Sequence, residues 1–251
     1  MLKLTNVTVT IDNKKILDSI SCTIDPQDHI VVLGHNGAGK STFFNCISGN
    51  IIPTTGTITW NNTDITTIPA YKRSSFIAQL FQNPQKNGIS SMTVHENLSL
   101  AHYKGIDATL EPGLIPLTDK LTHLLAHFGL NTPGLLETPM KRLSGGQRQL
   151  IAFIMATLNP PQLLLLDEPT AALDPQGATR LLTCALESIT AHKLTTLTIT
   201  HDPELALSIG NKLWILENGI ITKQWNKEEK SKLTSHDLLG HIDYQKLKSI
   251  A

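Results

Sequence analysis

The strongest constraint on the fold is the apolar run Ile30-Val31-Val32-Leu33, which stops at the glycine-rich stretch Gly34 to Gly39 before a helical segment from about Lys40 to Ser48. A short strand that is apolar on both sides is buried on both faces, as in a parallel sheet covered by helices. Phe76 to Leu80, Leu163 to Leu166, Leu194 to Ile199 and Leu213 to Leu216 read in the same way, with helical stretches between them. The core is therefore expected to be α/β. The N-terminus differs, because Leu2, Leu4, Val7 and Val9 alternate with polar residues and Ile20 to Ile24 follows suit. That one-sided pattern belongs to antiparallel sheet. From about Gly88 to Leu158 strand signals stop, and helical stretches such as Val94 to Tyr103 and Asp119 to Phe128 are separated by Gly- and Pro-rich loops. The expected layout is one domain over residues 1–225, with a core from 1–87 and 159–225 and an inserted helical subdomain over 88–158. A polar tail over 226–251 follows, with a terminal helix from His241 to Ile250.

Composition narrows the choice of partners. With 251 residues, 40% hydrophobic and 17% charged, the chain can bury an ordinary globular core. Lys plus Arg and Asp plus Glu both number 21, so no basic excess is available to neutralise a nucleic-acid backbone, and no nucleic-acid partner is expected. Cys22, Cys46 and Cys184 form no C-x-x-C pair and read as buried thiols of a reducing compartment. Met1 to Thr10 lacks the apolar run of a signal peptide, and no stretch approaches the roughly 18 apolar residues of a membrane span. Any membrane role must come through a separate membrane partner.

The chemistry begins at Gly34-His35-Asn36-Gly37-Ala38-Gly39-Lys40-Ser41, which satisfies G-x-x-x-x-G-K-[ST] between an expected strand and an expected helix. Glycines let such a loop turn its backbone N–H groups toward phosphate oxygens, and the helix dipole adds positive potential. Lys40 would reach the β- and γ-phosphates of a nucleotide, Ser41 would ligate Mg²⁺, and Thr42 can bond a phosphate oxygen. Asp167 and Glu168 close the run Leu163 to Leu166, at the strand end where open α/β sheets bind ligands. Asp167 would hold Mg²⁺ and Glu168 would polarise an attacking water as general base. His123 and His127, four apart on an expected helix, could present two imidazoles to zinc, but the glutamate of H-E-x-x-H is missing. An exposed or capping role is expected for both.

Leu143-Ser144-Gly145-Gly146-Gln147 begins 24 residues before Asp167. Ser144 suits an N-cap, and Gly145 and Gly146 leave backbone N–H groups approachable at another helix start. At this motif the chain resembles the ATP-binding cassette (ABC) ATPases. The resemblance implies ATP and Mg²⁺ as ligands, and a head-to-tail dimer in which Ser144, Gly145, Gly146 and Gln147 contact the γ-phosphate held by a second copy. It also implies roles for Gln82, which senses Mg²⁺ and the γ-phosphate, for Asp174 in the loop after the catalytic strand, and for His201, which contacts the γ-phosphate. Finer text, including Met92 to Leu98, Met155 to Leu158, Leu194 to Leu197 and Gly210 to Leu213, is similar to tryptophan/tyrosine-type importers with a branched-chain-amino-acid-like permease. The implied partners are an integral membrane permease and a periplasmic or lipoprotein binding protein, with the ATPase peripheral on the cytoplasmic face of the inner membrane. Part of the surface from Gln82 to Tyr103, with apolar Phe81, Met92, Val94 and Leu98, is expected to receive a cytoplasmic helix of the permease. Two other family members remain as alternatives. One is an ATPase with a soluble partner, such as an iron–sulfur cluster assembly ATPase. The other is a non-hydrolysing regulatory cassette, against which Glu168 and His201 both argue.

One position departs from the family. Members usually carry an aromatic residue after the first strand to stack on adenine, and the register to Lys40 places Ile11 there. Aromatic stacking on a base contributes about 1–3 kcal/mol. At the low end, about 1 kcal/mol corresponds to roughly fivefold in affinity. Ile11→Tyr is expected to tighten ATP binding several-fold and sharpen preference for ATP, with the maximal rate nearly unchanged. Titrating both proteins with ATP and GTP checks this, and equal affinities would remove Ile11 from the base site.

Overall fold

An Asp12-Asn13 turn, with both residues at positive φ, folds β1 (Leu2–Ile11) back on β2 (Lys14–Ile24) as a two-residue hairpin. The structure is a computed structural model that describes residues 1–103, 114 and 119–241. Contacts divide it into two units, Met1–Arg73 with Thr195–Ala251, and Ser74–Leu194.

In the first unit, β3 (His29–Leu33) is buried throughout and leads through the glycine loop into α1 (Lys40–Ser48), as the sequence predicts. Next come β4 (Thr55–Trp60), β5 (Thr63–Asp64) and the short α2 (Ala70–Arg73). The N-terminal sheet has the order β2-β1-β4-β5 and is antiparallel throughout. Arg73 is fully buried and anchors the far end of α1. Its Nη1 donates to the carbonyls of Cys46 (2.9 Å) and Ile47 (2.7 Å), its Nε to Ile68 (2.8 Å), and its Nη2 to Ile65 and Thr66. A buried cation survives only with its donors satisfied, and carbonyls at a helix C-terminus supply both acceptors and a favourable dipole.

The second unit opens with β6 (Ile77–Leu80), followed by α3 (Val94–His102), α4 (Asp119–His127), α5 (Gly145–Thr157), β7 (Leu163–Asp167) and α6 (Pro175–His192). β6 and β7 pair in parallel, Ile77 opposite Leu163 and Leu80 opposite Leu166. A capping box sets the start of α3, Thr93 Oγ1 accepting from the Glu96 N–H while the Glu96 carboxylate accepts from that of Thr93. Val94 and Leu98 correct one expectation. Both are 0% exposed, inside the core that Leu125, Phe128 and Phe153 share, and so cannot face a partner. Their i, i+4 spacing marks a buried stripe on α3, and spacing alone cannot tell a core from an interface.

The chain then returns to the first unit with β8 (Thr195–Thr200), α7 (Pro203–Ser208), β9 (Lys212–Glu217), β10 (Ile220–Trp225), α8 (Lys227–Lys230) and α9 (Ser235–His241). Here β3 lies between β8 and β9, parallel to both, and β10 closes the edge antiparallel to β9. The helix expected over His241 to Ile250 lies, beyond its first residue, outside the described residues. Lys230 is buried, and its Nζ donates to the carbonyls of Ile209 and Gly210.

His29, at the start of β3, is buried with its Nε2 3.1 Å from Thr198 Oγ1. Burial, assisted by the Lys230 ammonium, pushes its pKa down from 6.5 to about 4. The folded state therefore holds His29 neutral while the unfolded chain takes up a proton below pH 6.5. Stability is fully present above that pH and is lost as pH falls toward 4, by an amount on the order of 3 kcal/mol. Urea unfolding at pH 7 and pH 4.5 should show a larger acid loss for wild type than for His29→Gln. Equal losses would contradict the assignment.

Candidate functional site

The loop from Gly34 to Gly39 is narrow because its neighbours are backbone. A Cβ at Gly34 would stand 2.3 Å from the Leu216 carbonyl oxygen, so only glycine lets β3 leave the sheet at that point. Gly39, the N-cap of α1, has φ 101° and lies against the Ile16 carbonyl and Leu17. It has no capping side chain, so backbone N–H groups alone present the positive end of α1. The Gly219 N–H donates to the Ala38 carbonyl at 2.9 Å and fixes the loop from β10's side.

Lys40 is buried, and its ammonium donates to the carbonyls of Gly34 (2.7 Å) and His35 (3.1 Å). The loop thus curls around its own cation. His35 is buried and its Nδ1 donates to the Asn36 carbonyl at 2.7 Å, while Asn36 and Gly37 form the exposed tip. Ser41 is exposed and Thr42 half-buried in the first turn of α1. Elsewhere in this unit, Ile11 ends β1 at 44% exposure, and His201 stands exposed directly after β8. Asp202 then starts α7 by accepting from the N–H groups of Glu204 (2.9 Å) and Leu205 (3.3 Å).

The second unit brings the remaining predicted residues together. Asp167 ends β7 with a buried carboxylate, and Glu168 follows, also buried, in the left-handed region at φ 45°. That conformation costs a non-glycine residue about 1–3 kcal/mol and persists where surroundings impose it. Gln82, just past β6, donates from Nε2 to Glu168 Oε2 at 2.8 Å. Ser144 caps α5 in a reciprocal box with Gln147, each bond 3.1 Å. Gly145 and Gly146 lie at the same helix start, where a Cβ on Gly146 would approach Leu173 Cδ2 to 3.2 Å. Asp174 caps α6, accepting from the Gly177 N–H at 2.6 Å with Pro175 in the first helical position.

Two residues that the sequence did not single out hold this arrangement. Gln149, fully buried on α5, donates to the carbonyls of Phe81 (3.4 Å) and Pro169 (3.3 Å), the neighbours of Gln82 and Glu168. Asn87 accepts from the Phe81 N–H at 2.8 Å and donates to the Phe81 carbonyl and to Gln149 Oε1. A glutamine placed where α5 should be apolar is the one signal that could have found this network.

The two units carry the parts of a P-loop NTPase core with an N-terminal antiparallel β region and a helical subdomain. A family profile described as "ABC transporter" matches residues 17–171. The chain is 36% identical to a tyrosine transport ATP-binding protein of Clostridioides difficile, covering 97% of this chain and 99% of that protein. It is 33% identical to a thiamine import ATP-binding protein of Escherichia coli, over 96% and 99%. Among solved structures, an ATP-binding cassette of an ABC transporter in its ADP conformation has a TM-score of 0.76 at 26% identity, covering 96% of this chain and 97% of that one. A dimeric cassette in a post-hydrolysis state with ADP and Pi has a TM-score of 0.74 at 25% identity, over 90% and 99%. The chain belongs to the ABC transporter family. It is an ATP-hydrolysing cassette whose substrate is ATP with Mg²⁺.

Gln149→Leu removes the shared partner of Phe81, Pro169 and Asn87 and leaves buried polar groups unpaired, at about 1–3 kcal/mol. ATPase turnover is expected to fall about tenfold or more, since small misplacements at a reacting centre are costly, while nucleotide affinity stays near wild type. Turnover equal to wild type in the folded variant would show that Gln149 does not position the site.

Proposed function

We propose that this cassette powers uptake of an amino acid of the tyrosine type through a separate membrane-spanning permease, fed by a substrate-binding protein, on the cytoplasmic face of a bacterial inner membrane. The tyrosine-transport relative supports this solute over thiamine, by 36% against 33% identity. Among the described residues no helix is long and apolar enough to cross a membrane, which accords with a separate permease.

The Gln82–Glu168 hydrogen bond carries the mechanistic reading. Lys40 exchanges the Gly34 and His35 carbonyls for β- and γ-phosphate oxygens, while the loop N–H groups from Gly37 to Thr42 and the positive end of α1 take the remaining charge. The Ser41 hydroxyl, the Asp167 carboxylate and the Gln82 amide oxygen are hard donors suited to Mg²⁺. The ion, when bound, neutralises charge on the β- and γ-oxygens. Glu168 takes the proton of the attacking water, Gln82 orients that carboxylate, and His201 donates to the γ-phosphate. In a head-to-tail pair of copies, Ser144, Gly145, Gly146 and Gln147 offer the positive end of α5 to the γ-phosphate held by the other copy. Asp174 lines that junction.

Glu168→Gln keeps the shape and removes the basic charge. Turnover should fall by about 10²- to 10⁴-fold, while ATP still binds and ATP-bound dimers accumulate in size-exclusion chromatography. Undiminished hydrolysis would take Glu168 out of the role of base.

With Val94 and Leu98 buried, the exposed apolar residues near α3 are Ile89 and Leu100, at 45% and 50%. Charging them, as Ile89→Glu and Leu100→Glu, should lose co-purification with a permease from detergent-solubilised membranes and leave basal ATPase intact. Recovery of a soluble partner by wild type instead would favour a non-transport cassette.

A further inference from the structure

The second unit holds a cluster that the nucleotide chemistry does not use. His127, the last residue of α4, meets α6 at Cys184 and Glu187, and His Nε2 or Nδ1, Cys Sγ and a carboxylate oxygen all lie within 4.8 Å of one another. His127 Nε2 and Glu187 Oε2 are 2.8 Å apart. Cys184 is buried, while His127 and Glu187 are exposed. The imidazole's neighbours are thus on α6, and His123, its i−4 neighbour on α4, is not in the cluster.

We propose that His127, Cys184 and Glu187 form a zinc-binding site that ties α4 to α6. A thiolate, an imidazole and a carboxylate are the donor types of three-ligand zinc centres, and they select a borderline-soft dication over Mg²⁺. The His127–Glu187 hydrogen bond, at 2.8 Å, is shorter than the separation of two ligands on a tetrahedral zinc, so an ion enters by parting these two exposed side chains. Cys184 and Glu187 are one helical turn apart on α6, so their side chains share a face. A cavity of about 530 Å³, lined by His127, Gln176, Thr179, Arg180 and Cys184 among others, gives the ion and a fourth-ligand water access from solvent.

Binding releases protons in a defined way. The thiol gives up its proton to solvent as the sulfur–zinc bond forms. The imidazole coordinates through the nitrogen now bonded to Glu187, its remaining proton moving to the other ring nitrogen. Because the thiol must lose its proton to bind, zinc affinity should climb with pH.

The test uses full-length protein stripped of metal and free of nucleotide. One equivalent of Co²⁺ should produce a thiolate-to-cobalt charge-transfer band that Cys184→Ser abolishes and Cys22→Ala retains. His127→Gln and Glu187→Gln, at exposed positions, should melt like wild type without metal and bind Zn²⁺ more than about tenfold more weakly, since even an outer-shell partner contributes about 10–100-fold. Absence of the band in wild type, its persistence in Cys184→Ser, or undiminished Zn²⁺ affinity in both exposed variants would overturn the site.

Discussion

The ammonium of Lys40, held by the carbonyls of Gly34 and His35, fixes the shape on which the first unit depends. A buried cation must have acceptors, and here the loop's own backbone supplies them, so the loop closes around the charge, with the Ala38 N–H donating to the His35 carbonyl at 3.2 Å. That geometry requires β3 to end against the Leu216 carbonyl, where only Gly34 fits, and α1 to begin without a capping side chain. Arg73 then satisfies the opposite end of α1 with the same physics, a buried guanidinium on helix carbonyls. Both ends of the helix are thus set by a cation on backbone oxygens.

The second unit solves a different problem, that of holding a carboxylate in a costly conformation. Glu168 sits at positive φ, and its side chain is held by Gln82 while Gln149 holds the carbonyl of the following Pro169. The same glutamine reaches Phe81, beside Gln82, so one side chain of α5 braces both segments. Since α5 is also the helix that Ser144 caps, its proposed contact with a second copy's phosphate and the local bracing of Glu168 share a single rigid element.

Much of this was legible from residue order. Ile30 to Leu33 reads as a doubly buried strand, and the break at Gly34 followed by a helix from about Lys40 to Ser48 marks the strand–loop–helix unit, although the strand begins one residue earlier, at His29. What escaped has a physical reason in each case. Thr55 to Trp60 forms β4 with Thr55 and Thr57 exposed and Gly56 half-buried, a pattern too polar to read as a strand. Val94 and Leu98 looked like a partner surface because a helix's apolar stripe is the same whether it meets its own core or another protein. The buried Gln149 and the backbone of Glu168 are set by tertiary packing, which no local pattern reports. The i, i+4 spacing pairs His127 with His123, whereas the carboxylate that meets its imidazole nitrogen comes from Glu187 on α6, 60 positions away.

The central claim is that hydrolysis needs Lys40 from one copy and the Ser144 helix start from another. It is tested by mixing Lys40→Ala with Ser144→Arg, each inactive alone. Heterodimers then contain one site that carries both changes and one that carries neither. An equimolar mixture should recover ATPase activity, up to about a quarter of wild type if copies pair at random and sites act independently. No recovery at any ratio, with heterodimers shown to form on ATP, would contradict the account.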